Sequence, residues 1–413
     1  MTTPPPRTAS RGFWGKELEK NEKKLHTARL VTVIVFTAVL GLVFLLLLVL
    51  PKHAGELSPL EFRSLQEFPW KTGGSNNSAE RIAEDVVTGE FSAHTDKFLE
   101  DHFPGRKFFI ALNAYTMRLT GRNADQAVVR GRNGRLYDAV LRIDEEQLEK
   151  NVSRLNGFAE ENGLRMAYVN VPTSALTVTE ELPRLSLEYH DAEAISFIRE
   201  HTGAYVPDLI SLFKAQPDPG GLMYRTDHHW TMEGAYLCYC DLARELGFEA
   251  VPSSDYNAEG FDFSGSYYRK AGLWQTPPDT LEIWRSPALE NAKVTVGWGS
   301  SAAVYTGVYD ETKLVPGEVD RYAAYLYSNN PVTVIENPEG NGRAVMMVKD
   351  SFGNSIAPLI ASAYSTVVMI DTRYFRGIEP APSEYVSEYG ITDLIVVFGT
   401  DSSVSDVFIN FLR

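Results

Sequence analysis

Cysteine is nearly absent: Cys238 and Cys240 are the only two in 413 residues. They stand one residue apart in a stretch of helical spacing, so the thiols point to different faces and a mutual disulfide is disfavoured. Without a disulfide framework, the fold rests on its core. Both thiols are read as small apolar core fillers. Internal repeats and extended low-complexity segments are also lacking. Basic charge does not dominate beyond the first 29 residues, where acidic residues outnumber basic ones. The first 29 carry seven Lys/Arg against three Glu, a local +4 within a net charge of −15, so the remainder carries −19. An acidic body of this size argues against a nucleic-acid partner, because phosphate binding needs basic patches that release counterions. It fits a neutral or cationic substrate, or a sugar polymer read by hydrogen bonds. Apolar residues make up 44% and charged residues 23%, so most of the length is expected to fold.

Charge is missing altogether from Leu30 to Leu50, a run rich in Val, Leu and Phe. It matches the roughly 20 residues that cross a hydrocarbon core as a helix, and it has no polar face of the kind a buried soluble helix carries. Arg7, Arg11, Lys16, Lys20, Lys23, Lys24 and Arg29 precede it, with Lys52 almost alone after it. The positive-inside rule then places residues 1–29 in the cytoplasm and everything after Pro51 outside. A cleaved signal peptide is the rival reading. The run is long for its apolar region, however, and no small-x-small site follows in Pro51-Lys52-His53.

Residues 51–90 are polar, broken at Gly73–Ser78, and read as a stalk or linker. Helical spacing covers Ala79–Leu119, interrupted at Asp101–Arg106. From Ala127 short apolar strands alternate with helices. Met166–Val171, Ala344–Val348, Val367–Ile370 and Leu394–Phe398 read as strands, and Met232–Leu246 and Ser355–Ala363 as helices. Such alternation predicts a mainly parallel sheet covered on both faces, so residues 91–413 form an α/β domain. Within it, residues 252–330 crowd Tyr, Trp, Gly and Pro with weak periodicity and read as an insertion at one sheet edge.

Two segments carry chemistry. Thr226-Asp227-His228-His229-Trp230-Thr231 precedes an apolar helix, and Val348-Lys349-Asp350-Ser351-Phe352-Gly353-Asn354 reads as strand, tight turn, helix. A serine hydroxyl is a poor nucleophile until an imidazole takes its proton, and the imidazole needs a carboxylate to fix its tautomer. A serine at the C-terminal end of a parallel strand sits where open α/β sheets bind ligands. In an extended segment side chains two apart share a face, so Asp227 cooperates with His229 while His228 points elsewhere. The bland reading is that Asp and Thr cap a helix and Asp-Ser makes a turn. A metal site at Asp227, His228 and His229 is a further alternative, but no other histidine cluster accompanies them; no metal or other cofactor is expected.

These segments resemble the DHHW protein family, which is similar to the SGNH-hydrolase-like alginate O-acetyltransferase proteins. Asp101-His102-Phe103-Pro104-Gly105-Arg106, Val128–Tyr137 and Tyr325–Pro331 extend the resemblance to roughly residues 90–400. Two positions depart from it: Lys349 stands in place of the glycine of a Gly-Asp-Ser block, and Ser328 in place of a family glycine. The resemblance implies an SGNH-hydrolase-like fold and a triad in which Asp227 orients His229 and His229 activates Ser351. Asn354, Asn329 and Phe352 are candidates for oxyanion or substrate contacts. It further implies transfer of an acyl group, most simply acetyl, to a cell-surface polysaccharide, with a multi-pass membrane O-acyltransferase as acyl donor and the span 30–50 as membrane anchor. A carbohydrate esterase and a non-catalytic glycan-binding scaffold are the alternatives. Tyr267, Tyr268, Trp274, Trp284, Trp298 and Tyr305 are candidates to stack on a glycan, most of them equally suited to the core.

Overall fold

Strand residues here alternate between two hydrophobic layers, and that period of two decides where each element packs. The computed structural model describes residues 10–58, 60–61, 63–69, 79–124, 128–140, 142–375, 380–406 and 412. The chain falls into two compact units, Met1–Ser58 with Arg63–Ile110, and Pro59–Phe62 with Ala111–Arg413.

In the first unit one helix, Ser10–Val49, runs for 40 residues. Its segment from Leu18 is long and apolar enough to cross a membrane. Helices Ala79–Thr88 and Glu90–Asp101 follow, divided at the left-handed Gly89 (φ 84°). Part of the segment read as a stalk is folded. Leu57 bridges Ser64, Arg63 grips both carboxylate oxygens of Asp101, and the Phe68 ring meets Phe98 edge-on at 5.0 Å. The Gly73–Ser78 break lies outside the described residues.

The second unit opens with a hairpin of β1 (Val128–Arg130) and β2 (Leu136–Asp138). Then come β3 (Arg165–Val171) and a second hairpin, β4 (Asn257–Phe263) with β5 (Asp279–Arg285). The remaining strands are β6 (Lys293–Val296), β7 (Ala303–Thr306), β8 (Val332–Glu336), β9 (Ala344–Lys349), β10 (Thr366–Asp371) and β11 (Asp393–Gly399). The main sheet has seven strands in the order β3-β11-β9-β10-β8-β6-β7. Its first four are mutually parallel, and β8, β6 and β7 join antiparallel. The fold is α/β with helices flanking the sheet, as expected from the sequence, but the sheet is mixed: its parallel strands β3, β11, β9 and β10 are extended by an antiparallel half where a mainly parallel sheet was expected. Parallel neighbours need a helical crossover, and helices Phe352–Ala363 and Pro382–Tyr389 supply them for β9, β10 and β11. The link between β6 and β7 is too short for anything but a reversal.

Ala167, Val169, Val345, Met347, Ile395 and Val397 pack on one face with helices Met232–Leu246 and Phe352–Ala363. Their neighbours Met166, Tyr168, Met346, Val348, Leu394 and Val396 pack on the other with helices Glu145–Glu161, Asp191–His201 and Pro382–Tyr389. Each fully buried aliphatic side chain contributes about 1.5–3 kcal/mol, so both layers hold β9 rigidly. Helix Met232–Leu246 starts at Thr231, whose hydroxyl accepts from Gly234 N, and stops at the left-handed Gly247 (φ 61°). That cap fixes the chain just before it, which is the Asp-His-His-Trp segment. Cys238 and Cys240 lie on this helix as free thiols, the first buried and the second partly so.

Candidate active site

Residues 225–229 form a run of bends closed by the Met223–Trp230 bridge. Within this turn Asp227 Oδ1 accepts from His229 Nδ1 at 2.5 Å and from His229 N at 3.0 Å. Its other oxygen accepts from Ser266 N at 2.6 Å. Gly265 allows that approach: a Cβ there would lie 2.4 Å from Asp227 Oδ2. Asp227 and His229 are 3% and 4% exposed. Burial works against the Asp227 charge, but the two imidazoles and the Ser266 N–H hold its carboxyl well below the usual range. A carboxylate on Nδ1–H leaves Nε2 as the ring's acceptor. Nε2 is buried and makes no hydrogen bond among the described residues.

His228 does not point elsewhere, as strict alternation predicts. Its ring tilts over His229 at 3.8 Å between centroids, and its Nδ1 meets Ser266 Oγ at 2.8 Å. The reason is local: a run of bends, unlike a strand, does not send adjacent side chains to opposite faces. Burial, and then the His229 ring, push the His228 pKa down. Asp227, His228 and His229 bring one ligand atom each within 4.8 Å of one another, but both Asp227 oxygens are already taken by N–H donors.

Ser351 follows β9 directly and precedes helix Phe352–Ala363. Its backbone is helical (φ −67°, ψ −20°) and its side chain makes no cap hydrogen bond, so the hydroxyl is not spent on the helix start. Asp350 shapes this turn: its two oxygens accept from Phe352 N and Gly399 N, both at 2.8 Å. Burial, then the nearby Asp401 charge, push the Asp350 pKa up to about 6. The two segments meet here. Phe352 places its ring 4.9 Å from that of His229, and Trp230 Nε1 donates to Ser355 Oγ at 2.8 Å. Trp230 is fully buried and therefore packs rather than forming a substrate surface.

Tyr322 ties the same parts together and carried no signal in the sequence beyond its place in an aromatic-rich region. It stacks on His229, and its hydroxyl donates to Ser351 O at 3.0 Å and contacts Ser355 Oγ at 3.2 Å. Of the aromatic residues proposed to meet a glycan, Tyr267 and Trp284 are buried, while Tyr305 is 39% exposed and stacks on Tyr327.

Asn354, Asn329 and Lys349 form a second cluster. Lys349 Nζ donates to Asn354 Oδ1 (2.7 Å), Asp371 Oδ2 (2.9 Å) and Asn329 Oδ1 (3.4 Å). Arg373 donates to Asp371 and, at 3.1 Å, to Asn329 Oδ1. Burial lowers the Lys349 pKa. Asp371 stays below the usual carboxylate range because its two cations outweigh burial. Just before Asn329, Leu326, Tyr327 and Ser328 are all left-handed, with φ of 53°, 60° and 78°. Each costs roughly 1–2 kcal/mol for a residue with a Cβ. A charged residue closing an otherwise apolar strand was the readable sign of this cluster.

The model of the DHHW protein family matches residues 200–370. Probable alginate O-acetylase AlgJ of Pseudomonas aeruginosa is 30% identical over 173 residues, covering 38% of this chain and 41% of AlgJ. The chain thus matches about two fifths of that relative's length. Among solved structures, a DHHW family protein from Eubacterium siraeum superposes with a TM-score of 0.56 at 20% identity, over 69% of this chain and 97% of that one. Bacillus cereus PatB1 gives 0.58 at 18% identity, over 69% and 99%, and PatB1 with a sulfonyl adduct gives 0.57 at 18%, over 68% and 96%. At these identities the likeness is one of fold. The matched segment holds Asp227, His229 and Ser351, and over it the chain is similar to the DHHW protein family.

Proposed function

We propose that this protein is a membrane-anchored serine acyltransferase that O-acetylates a cell-surface polysaccharide on the outer side of the membrane. The observation that carries the reading is the buried Asp227–His229 pair, whose Nε2 has no hydrogen-bond partner among the described residues, packed against the turn that bears Ser351. His229 Nε2 takes the Ser351 proton as Oγ bonds to the acyl carbonyl carbon, and the carbonyl electrons move to its oxygen. The intermediate collapses, and the leaving group departs with the proton from His229. A sugar hydroxyl then gives its proton to His229 and attacks the acyl-serine. The bond to Oγ breaks, and Ser351 recovers its proton. Asp227 stabilises the imidazolium at both stages.

The name of the Pseudomonas aeruginosa relative, an alginate O-acetylase, supports acetyl and polysaccharide as the reactants. The helix through Leu30–Leu50 holds the protein at the bilayer, with the basic residues before it on the cytoplasmic side. There a multi-pass membrane O-acyltransferase can pass activated acyl groups across.

The test uses the full chain in detergent micelles, p-nitrophenyl acetate as donor and a neutral oligosaccharide as acceptor. Acetylated oligosaccharide, and loss of it in Ser351→Ala, is the expected result. Acetate release without acetylated sugar makes the protein an esterase. Wild-type polymer acetylation by Ser351→Ala in cells removes catalysis from the protein and leaves a scaffold.

A further inference from the structure

Two consecutive histidines share one carboxylate oxygen, and the triad uses only one of them. His229 Nδ1 lies 2.5 Å from Asp227 Oδ1. His228 Nδ1 lies 3.5 Å from the same atom and meets Ser266 Oγ at 2.8 Å. A proton on His228 Nδ1 faces negative charge on one side and a hydroxyl oxygen on the other, whereas a lone pair there would face the carboxylate. The Nδ1–H tautomer is therefore favoured, and Nε2 keeps its lone pair. Ser266 secures the arrangement twice, since its N–H also holds Asp227 Oδ2 at 2.6 Å.

The two rings lie 3.8 Å apart with 37° between their planes, so this turn presents two imidazole acceptors side by side. Phe352, which follows Ser351, meets the rings of His229 and His228 edge-on at 4.9 Å and 5.7 Å between centroids. The pair differs in access: the His229 side chain is 5% exposed and that of His228 is 32% exposed. Neither Nε2 makes a hydrogen bond among the described residues. A sugar matches such a pair. Its ring carries hydroxyls on neighbouring carbons, two O–H donors at a spacing close to that of the stacked rings. Water has no second hydroxyl held there.

We propose that His228 binds the acceptor sugar: its Nε2 accepts a hydrogen bond from the hydroxyl beside the attacking one, and the paired imidazoles thereby select a vicinal diol over water. The inference rests on the acyl-Ser351 reading given above. The attacking hydroxyl gives its proton to His229 Nε2 as its oxygen bonds to the acyl carbon, and the bond to Ser351 Oγ then breaks. The neighbouring hydroxyl keeps its proton.

The test measures how acetyl-Ser351 divides between acceptor and water. The full chain in micelles takes acetyl from p-nitrophenyl acetate with vicinal cyclohexanediol, cyclohexanol or cellopentaose present, and acetyl ester and free acetate are counted from one reaction. Both products come from one acyl-enzyme, so a loss of folding or of acylation lowers them together and leaves their ratio. In the wild type the diol and cellopentaose should give a higher ester-to-acetate ratio than cyclohexanol. His228→Phe keeps a ring on His229 but offers no acceptor. Its ratio for the diol and cellopentaose should fall about five- to tenfold, the size of one neutral hydrogen bond, while that for cyclohexanol stays within about twofold. An unmoved ratio in His228→Phe, equal wild-type ratios for diol and cyclohexanol, or free acetate alone with every acceptor overturns the inference. Labelling of the wild type by a sulfonyl fluoride separates it from the reading beneath. Label at Ser351 keeps the nucleophile whatever the ratios show, while no label and no turnover overturns both.

Discussion

The rings of Tyr322 and His229 lie parallel, 11° apart in plane and 3.9 Å between centroids, and the Tyr322 hydroxyl holds the backbone of Ser351. One residue thus sets the tilt of the imidazole and the height of the serine turn. Tyr322→Phe keeps the ring and loses the hydroxyl, which should cost about 0.5–1.5 kcal/mol in denaturant unfolding and several-fold in kcat. Tyr322→Ala also removes the stacked face and should cost roughly 3–5 kcal/mol. Equal stability of the two variants would show that the stack contributes nothing.

Asp227 fixes the His229 tautomer through Nδ1. In Asp227→Asn the amide can present N–H to that nitrogen, which favours the tautomer whose Nε2 carries the proton and cannot accept one. The expected loss in kcat is on the order of 10⁴-fold, the size seen for the equivalent change in a serine protease triad, with KM nearly unchanged. Steady-state kinetics of the purified variant check it, and a loss under tenfold would take Asp227 out of the catalytic role.

Gly265 is required for space, not for a special backbone angle. Its φ is −84°, but a Cβ would sit 2.2 Å from Asp227 Cβ. Gly265→Ala must therefore push Asp227 away from Ser266 N, at a cost of roughly 1–3 kcal/mol, and should lower activity more than Gly247→Ala. At Gly247 nothing lies within 4 Å of the added carbon; the cost there comes from the left-handed backbone alone. A thermal melt and an acyl-transfer assay on both variants decide the comparison.

Much of this was legible beforehand. The apolar runs at Met166–Val171, Ala344–Val348 and Leu394–Phe398 became β3, β9 and β11 because a strand buried on both faces shows apolar residues at almost every position, Asn170 being the exception in β3. The antiparallel edge was not legible. β6 and β7 are four residues each, too short for a period to emerge from a region crowded with Gly and aromatics. The pairing of Asp227 with His229 followed from their spacing, but the place of His228 did not, since bends have no fixed side-chain rhythm. Ser266, Tyr322 and Arg373 reach the two clusters from far along the chain, where one sequence gives no sign of contact.

Asp350 predicts a pH dependence. Its pKa of about 6 lies above that of an unfolded aspartate, so the folded state binds the proton more tightly. Its contribution to stability is present below about pH 4 and is lost as pH rises through 6. Two units correspond to about 3 kcal/mol. Asp350→Asn lacks this titration, so the stability of wild type relative to the variant should fall between pH 4 and 6 and be flat above 7. Denaturant midpoints across that range measure it, and a constant difference would show that Asp350 titrates normally.

The helix Ser10–Val49 has one further consequence. At 1.5 Å per residue its 40 residues measure about 60 Å, twice the hydrocarbon thickness of a bilayer, and no break separates the apolar half from the lysine-bearing half. The two halves form a single lever. With the apolar half in a bilayer, as proposed above, any lean of that half would swing Lys20, Lys23 and Lys24 relative to the lipid phosphates, so headgroup charge on their side would bias the tilt of the helix.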